Sequence, residues 1–138
     1  MHIVILGAGR VGALLADRLD ESGHSVAIID QNEQSFRRLG TAFKGETIRG
    51  VGFDRQTLES AGIRRAHAFA AVSSGDNTNI IAARTARETY GVENVVARIY
   101  DPRRAEVYQR LGIPTVATVS WTTGQIMRRM IPQGANIE

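Results

Sequence analysis

The sequence predicts an α/β fold, a doubly wound parallel sheet, on three observations. Strand-like apolar runs alternate with helical patterns along the whole of the 138 residues. Ala66-His67-Ala68-Phe69-Ala70-Ala71-Val72 is almost wholly apolar, as a strand covered on both faces is. The first thirty residues read strand, glycine turn, helix, strand, acid: His2-Ile3-Val4-Ile5-Leu6, then Gly7-Ala8-Gly9-Arg10-Val11-Gly12, a helical pattern to Leu19, and Ser25-Val26-Ala27-Ile28-Ile29 ending in Asp30.

That opening is organised for chemistry. Gly7 allows a tight turn out of the strand, Gly9 leaves room for a pyrophosphate to approach the backbone, and Gly12 lets the helix pack close to the sheet. The free N–H groups of the helix face the phosphates. Asp30 stands about 20 residues on, where a carboxylate accepts hydrogen bonds from a ribose diol. A lone Gly-x-Gly-x-x-Gly is weak; one that follows a strand, opens a helix and meets an acid at this spacing is the Rossmann fingerprint. Asp30, followed by Gln31 and Asn32, repels a 2′-phosphate, so NAD(H), or an adenosine nucleotide with a free ribose such as ATP or ADP, is favoured over NADP. Arg37 and Arg38 lie a helix turn or more away and read as surface charge.

The remaining elements follow in order. Gln31-Asn32-Glu33 opens a second helix with Phe36 and Leu39 inward. Glu46-Thr47-Ile48-Arg49 is a third strand, and Gly50-Val51-Gly52 a close turn at the carboxyl edge. Asp54 is placed to cap a helix over 55–61, which Gly62 stops. After the fourth strand, Ser73-Ser74-Gly75 turns into a long helix ending near Tyr90, with Asp76 or Asn77 as its cap. Ser73 and Ser74 sit at a strand's carboxyl end, where open parallel sheets bind ligands. The fifth strand, 94–99, carries Arg98 in an apolar run; that charge must pair with an acid or reach a ligand. Pro102 starts the next helix, with Tyr108 and Leu111 inward, and 115–117 is a short sixth strand. The helix predicted over 120–131 places Ile126, Met127, Met130 and Ile131 on one apolar face, which suits packing on its own sheet or docking on a second subunit. Right-handed crossovers give the strand order 3-2-1-4-5-6. The chain divides into a Rossmann-like domain, 1–119, a final helix, 120–131, and a loose tail, 132–138.

Composition narrows the function. There is no cysteine, hence no disulfide, thiolate nucleophile or cysteine metal site. The three histidines have no ligand spacing with carboxylates, and no nucleophile–base arrangement stands out, so neither a metal site nor catalysis is expected. No apolar run approaches the length of a membrane span and no signal peptide is recognised, which predicts a soluble, cytoplasmic protein. The net charge of +3 comes from scattered arginines, without the aromatic-interleaved basic stripe of a nucleic-acid binder.

The series Gly7-Ala8-Gly9-Arg10-Val11-Gly12, the strand ending in Asp30, Leu58-Glu59-Ser60-Ala61-Gly62-Ile63, Ser73-Ser74-Gly75-Asp76 with Asn79, Ala97-Arg98-Ile99, and Tyr108-Gln109-Arg110-Leu111-Gly112 resembles the nucleotide-binding N-terminal domain of Trk-type potassium-uptake regulators, the RCK or KTN domain. The resemblance implies a cytosolic, non-enzymatic gating subunit. Such a subunit assembles as a homodimer or larger ring on a membrane potassium transporter and changes conformation with bound NAD(H), ATP or ADP. It implies that the glycine turn and Arg10 meet the phosphates and Asp30 the ribose. Ser73, Ser74 and Arg98 then line the pocket, and the final helix acts as a crossover helix on the partner subunit. Many members carry Gly-Asp after the third strand; Gly50-Val51-Gly52-Phe53 departs from that and is similar to the Trk-system branch. The small C-terminal domain common in the family does not fit within these residues. Two rivals make distinct predictions: the cofactor half of an NAD-dependent oxidoreductase would transfer hydride, and a purely dimerising domain would bind no nucleotide.

Overall fold

The computed structural model describes residues 1–131. Six strands, β1 (His2–Leu6), β2 (Ser25–Asp30), β3 (Glu46–Arg49), β4 (Ala68–Ala71), β5 (Asn94–Arg98) and β6 (Thr115–Val116), form one sheet in the order β3-β2-β1-β4-β5-β6. All pairings are parallel, as predicted. The helices are α1 (Arg10–Glu21), α2 (Arg55–Ser60), α3 (Asp76–Arg84), α4 (Pro102–Arg110) and α5 (Thr118–Met130).

Strand alternation splits the core in two. Val4, Leu6, Ala27 and Ile29 point to one face, where they meet Leu58, Ile80, Ala83 and Ala105 from the α2, α3 and α4 side. Ile3, Ile5, Val26 and Ile28 point to the other, against Ala16, Leu15 and Leu19 of α1 and against Phe36 and Leu39. The central strand β1 is therefore buried along its whole length. Phe69 on β4 is fully enclosed, and Phe69→Ala is expected to lower unfolding free energy by about 3–5 kcal/mol in urea titration.

Several elements differ from expectation for local reasons. The second helix is one 3-10 segment, Glu33–Arg38, capped by the Asn32 side chain on the Gln34 N–H. The segment after it is tied to α1 instead: Asp17 accepts the Gly40 N–H and Asp20 the Lys44 N–H. Asp54 precedes α2 but makes no side-chain cap; its carboxylate accepts from the Thr57 hydroxyl at 3.3 Å. The α3 cap is Gly75, so neither Asp76 nor Asn77 caps that helix. Beyond α3 the chain widens into a π-helical turn, Thr85–Thr89, before Tyr90. Tyr108 packs against the core, but Leu111 is 65% exposed because β6, the edge strand beneath it, is only two residues long. The final helix starts two residues earlier than predicted and buries no residue. Ile131 falls just past its end, and the predicted loose tail, 132–138, lies outside the described residues.

Candidate functional site

The helices change faces between β1 and β4, and the cleft of a doubly wound sheet opens at that switch point. A cavity of about 610 Å³ lies there, at the carboxyl ends of the strands. It is lined by Gly7, Gly9, Arg10, Val11, Asp30, Gln31, Ser73, Ser74 and Arg98, together with Leu6, Ser35, Gly52, Val72, Gly75, Thr78 and Tyr100. Of the residues predicted for the site, Ala8 and Gly12 stand behind the wall and shape it from there.

The three glycines have three different reasons. Gly7 has φ +107°, and a Cβ there would sit 2.7 Å from the Ser73 amide nitrogen. A Cβ on Gly12 would sit 1.7 Å from the Gly7 carbonyl oxygen, so the first turn of α1 rests on the loop before it. Gly9 has ordinary extended backbone and nothing of the protein within 4 Å of an added Cβ. The fold does not require glycine at position 9; the space beside it belongs to the cavity. Gly9 is also the N-cap of α1 and supplies no side-chain cap, so the first N–H groups of the helix face the cleft without a side-chain partner.

Asp30 joins the end of β2 to the glycine turn. Its Oδ2 accepts the Ala8 N–H at 2.8 Å and its Oδ1 the Asn32 N–H at 2.8 Å. Each oxygen keeps further acceptor capacity, and Asp30 lines the cleft. Arg38 is exposed, as expected of a surface charge, but it is not remote: its Nη1 lies 3.5 Å from the Ala8 carbonyl oxygen, beside the same turn.

On the opposite wall the organising residue is Asn79, fully buried on α3. Its Oδ1 accepts from the Ser73 N–H (3.0 Å) and hydroxyl (2.6 Å), and its Nδ2 donates to the carbonyls of Ser73 (2.9 Å) and Arg98 (2.8 Å). One amide thus joins the ends of β4 and β5. Arg98 makes no ion pair within 4 Å among the described residues, which removes the salt-bridge role from the two its sequence position allowed. Its Nη2 donates to the Ser73 carbonyl at 3.2 Å, its guanidinium carbon lies 4.9 Å from the Tyr100 ring centre, and its Nε is buried without a partner. Leaving such a donor unpaired costs about 1–3 kcal/mol.

Sequence reasoning assigned no pocket role to Asn79, Tyr100 or Gly52. Asn79 had a signal: a polar residue among Ile80, Ala82 and Ala83 on the inward face of its helix must be hydrogen-bonded. The glycine pair after β3 has two causes: a Cβ on Gly52 would meet the Leu6 side chain of β1, and one on Gly50 would meet the Thr57 side chain of α2. Among the described residues there is no cluster of three or more His, Cys, Asp or Glu able to hold a metal ion, and no helix long and apolar enough to cross a membrane.

A six-stranded doubly wound sheet, a glycine turn under an uncapped helix and an acid at the end of β2 define a Rossmann-type domain. The chain belongs to the TrkA-N domain family, whose model matches residues 3–119. It is 68% identical over 135 residues to the Trk system potassium uptake protein TrkA of Streptomyces coelicolor, covering 98% of this chain and 60% of that relative's length. In fold it is similar to the TrkA-N domain of the inner membrane protein ybaL from Escherichia coli (TM-score 0.82, 16% identity, 94% of this chain and 96% of that one). Two nucleotide-bound structures share the fold. One is the Kef C-terminal domain of Shewanella denitrificans in an AMP-bound form (TM-score 0.73, 23% identity, 85% and 71% covered). The other is the GsuK channel bound to NAD (TM-score 0.67, 20% identity, 83% and 21% covered).

Proposed function

We propose that this chain is the nucleotide-sensing part of a regulatory subunit of a potassium-uptake system. It would bind NAD(H) or ATP/ADP and act, as a homodimer or larger ring, on a membrane transporter subunit from the cytoplasmic side. The observation that carries the nucleotide reading is Gly9: its missing side chain serves no packing need, and the space it leaves adjoins an uncapped helix N-terminus. The potassium reading is supported by the Streptomyces relative, and the nucleotide reading also by the AMP- and NAD-bound neighbours.

In this reading the N–H groups at the start of α1 and the Arg10 side chain bind the phosphates. Arg98 approaches from the other wall with its spare guanidinium hydrogens. Asp30 accepts from the ribose hydroxyls with its remaining lone pairs while holding the turn through Ala8. Gln31, Ser73 and Ser74 complete the wall. A nucleotide that binds one arrangement of the assembly better than another shifts the gate by that difference in affinity.

Asp30→Asn keeps one acceptor for the Ala8 N–H but removes the charge and half of the diol-binding capacity. Nucleotide affinity is expected to fall at least about tenfold by calorimetric titration, since hydrogen bonds to charged groups are worth about 1.5–3 kcal/mol. Unchanged affinity for every nucleotide that the wild type binds would remove Asp30 from the site.

A further inference from the structure

The segment from Arg98 to Asp101 carries two of the cleft's side chains, yet it is held from outside the cleft. Asp76, the first residue of α3, accepts the Tyr100 N–H on Oδ1 at 2.8 Å and the Asp101 N–H on Oδ2 at 3.0 Å. Three residues on, and so on the same side of the helix, Asn79 donates to the Arg98 carbonyl. The held segment continues into α4, where the Asp101 side chain caps the helix on the Arg103 N–H and Arg104 donates to Asn77 at 2.7 Å. Asp76 does not cap its own helix, so its carboxylate is spent wholly on this neighbouring loop.

Fixing two successive N–H groups on one carboxylate fixes the backbone between them, and so the point from which the Tyr100 side chain reaches the cleft. That ring is one of the two surfaces confining the Arg98 guanidinium; the Ser73 carbonyl is the other. A free arginine side chain has about 2 kcal/mol of rotamer entropy to lose on binding, so holding it in place beforehand favours the ligand. We propose that Asp76 is a positioning residue for phosphate binding: it sets Tyr100, Tyr100 sets the Arg98 guanidinium, and Arg98 meets the nucleotide's phosphates, with Asn79 anchoring the stem of the loop. This role rests on the nucleotide reading above.

The test combines calorimetric titration with ADP and with NADH and amide hydrogen exchange, on the wild type, Asp76→Ala, Asp76→Asn, Arg98→Gln and the Asp76→Ala/Arg98→Gln pair. Asp76→Ala is expected to expose the Tyr100 and Asp101 amides to exchange and to weaken binding about 5- to 10-fold with Arg98 present. Asp76→Asn, which keeps one acceptor, should fall between it and the wild type. In the Arg98→Gln background Asp76→Ala should weaken binding no further, the non-additivity of residues that act through one another. Equal losses in both backgrounds, or faster exchange at unchanged affinity, would overturn the positioning role. Full binding by Arg98→Gln would overturn it too, while leaving the nucleotide reading standing. A wild type that binds neither ADP nor NADH would bring down both, even if the amides of Asp76→Ala exchange faster.

Discussion

Gly9→Ala is expected to leave the fold intact and to abolish most nucleotide binding, whereas Gly12→Ala, three residues on, is expected to prevent stable folding. The difference is steric. A methyl group on Gly12 would stand 1.7 Å from the Gly7 carbonyl oxygen, with the Val72 side chain behind it; Gly12 is held within α1 and Gly7 is tied to β2 through its N–H on the Ile29 carbonyl. Overpacking ordinarily costs about 1–3 kcal/mol, occasionally more, and a contact this short falls at or beyond the top of that range. Against a typical total stability of about 5–15 kcal/mol, that loss leaves little or no folded protein. A methyl group on Gly9 meets no protein atom and suits the backbone, so the thermal midpoint should move little. It would, however, stand where phosphate oxygens must approach the N–H groups of α1. Losing even one charge-assisted hydrogen bond of about 1.5–3 kcal/mol weakens binding by tenfold or more. Thermal melts and calorimetric titration of the two variants separate these effects, and a Gly9→Ala chain that binds nucleotide like the wild type would contradict the placement of the phosphates.

The second large effect concerns α5. Isolated helices below about 12–15 residues are marginal in water, and α5 has 13 residues that include Gly124 and five β-branched side chains, Thr118, Val119, Thr122, Thr123 and Ile126. It buries none of its residues: Ile126 and Met130 are 52% and 74% exposed, and with Val119 they form one face flanked by Met127. Its own sheet does not cover that face, so we expect a second copy of the chain to do so. The paired substitution Ile126→Glu/Met130→Glu is expected to convert a dimer to a monomer in sedimentation equilibrium, with loss of the α5 share of the helical circular dichroism. A wild type that sediments as a monomer at high micromolar concentration would contradict this.

Much of the fold was legible because the signals are local. The apolar runs of β1, β2 and β4, the glycine turn and Asp30 lie within short windows, and right-handed crossovers then determine the strand order. What was missed depends on contacts between residues far apart in sequence. Asp76 looked like a cap because acids near helix starts commonly are, and only the packing of α3 against β5 shows its carboxylate on the Tyr100 and Asp101 amides. Arg38 looked remote because a continuous α-helix would have carried it away; the 3-10 segment and the Asp17 and Asp20 anchors hold that stretch close to α1, where Arg38 reaches the Ala8 carbonyl. Leu111 followed an amphipathic pattern, but the two-residue edge strand β6 leaves little sheet for it to cover.

The central claim is that the cleft between β1 and β4 takes a nucleotide with a free ribose. Calorimetric titration of the wild-type chain with NAD, NADH, ATP, ADP and NADPH tests it most directly. Saturable binding of at least one of the first four, with NADPH weaker, is the predicted result. A folded chain that binds none of them, or that binds NADPH most tightly despite Asp30, would contradict it.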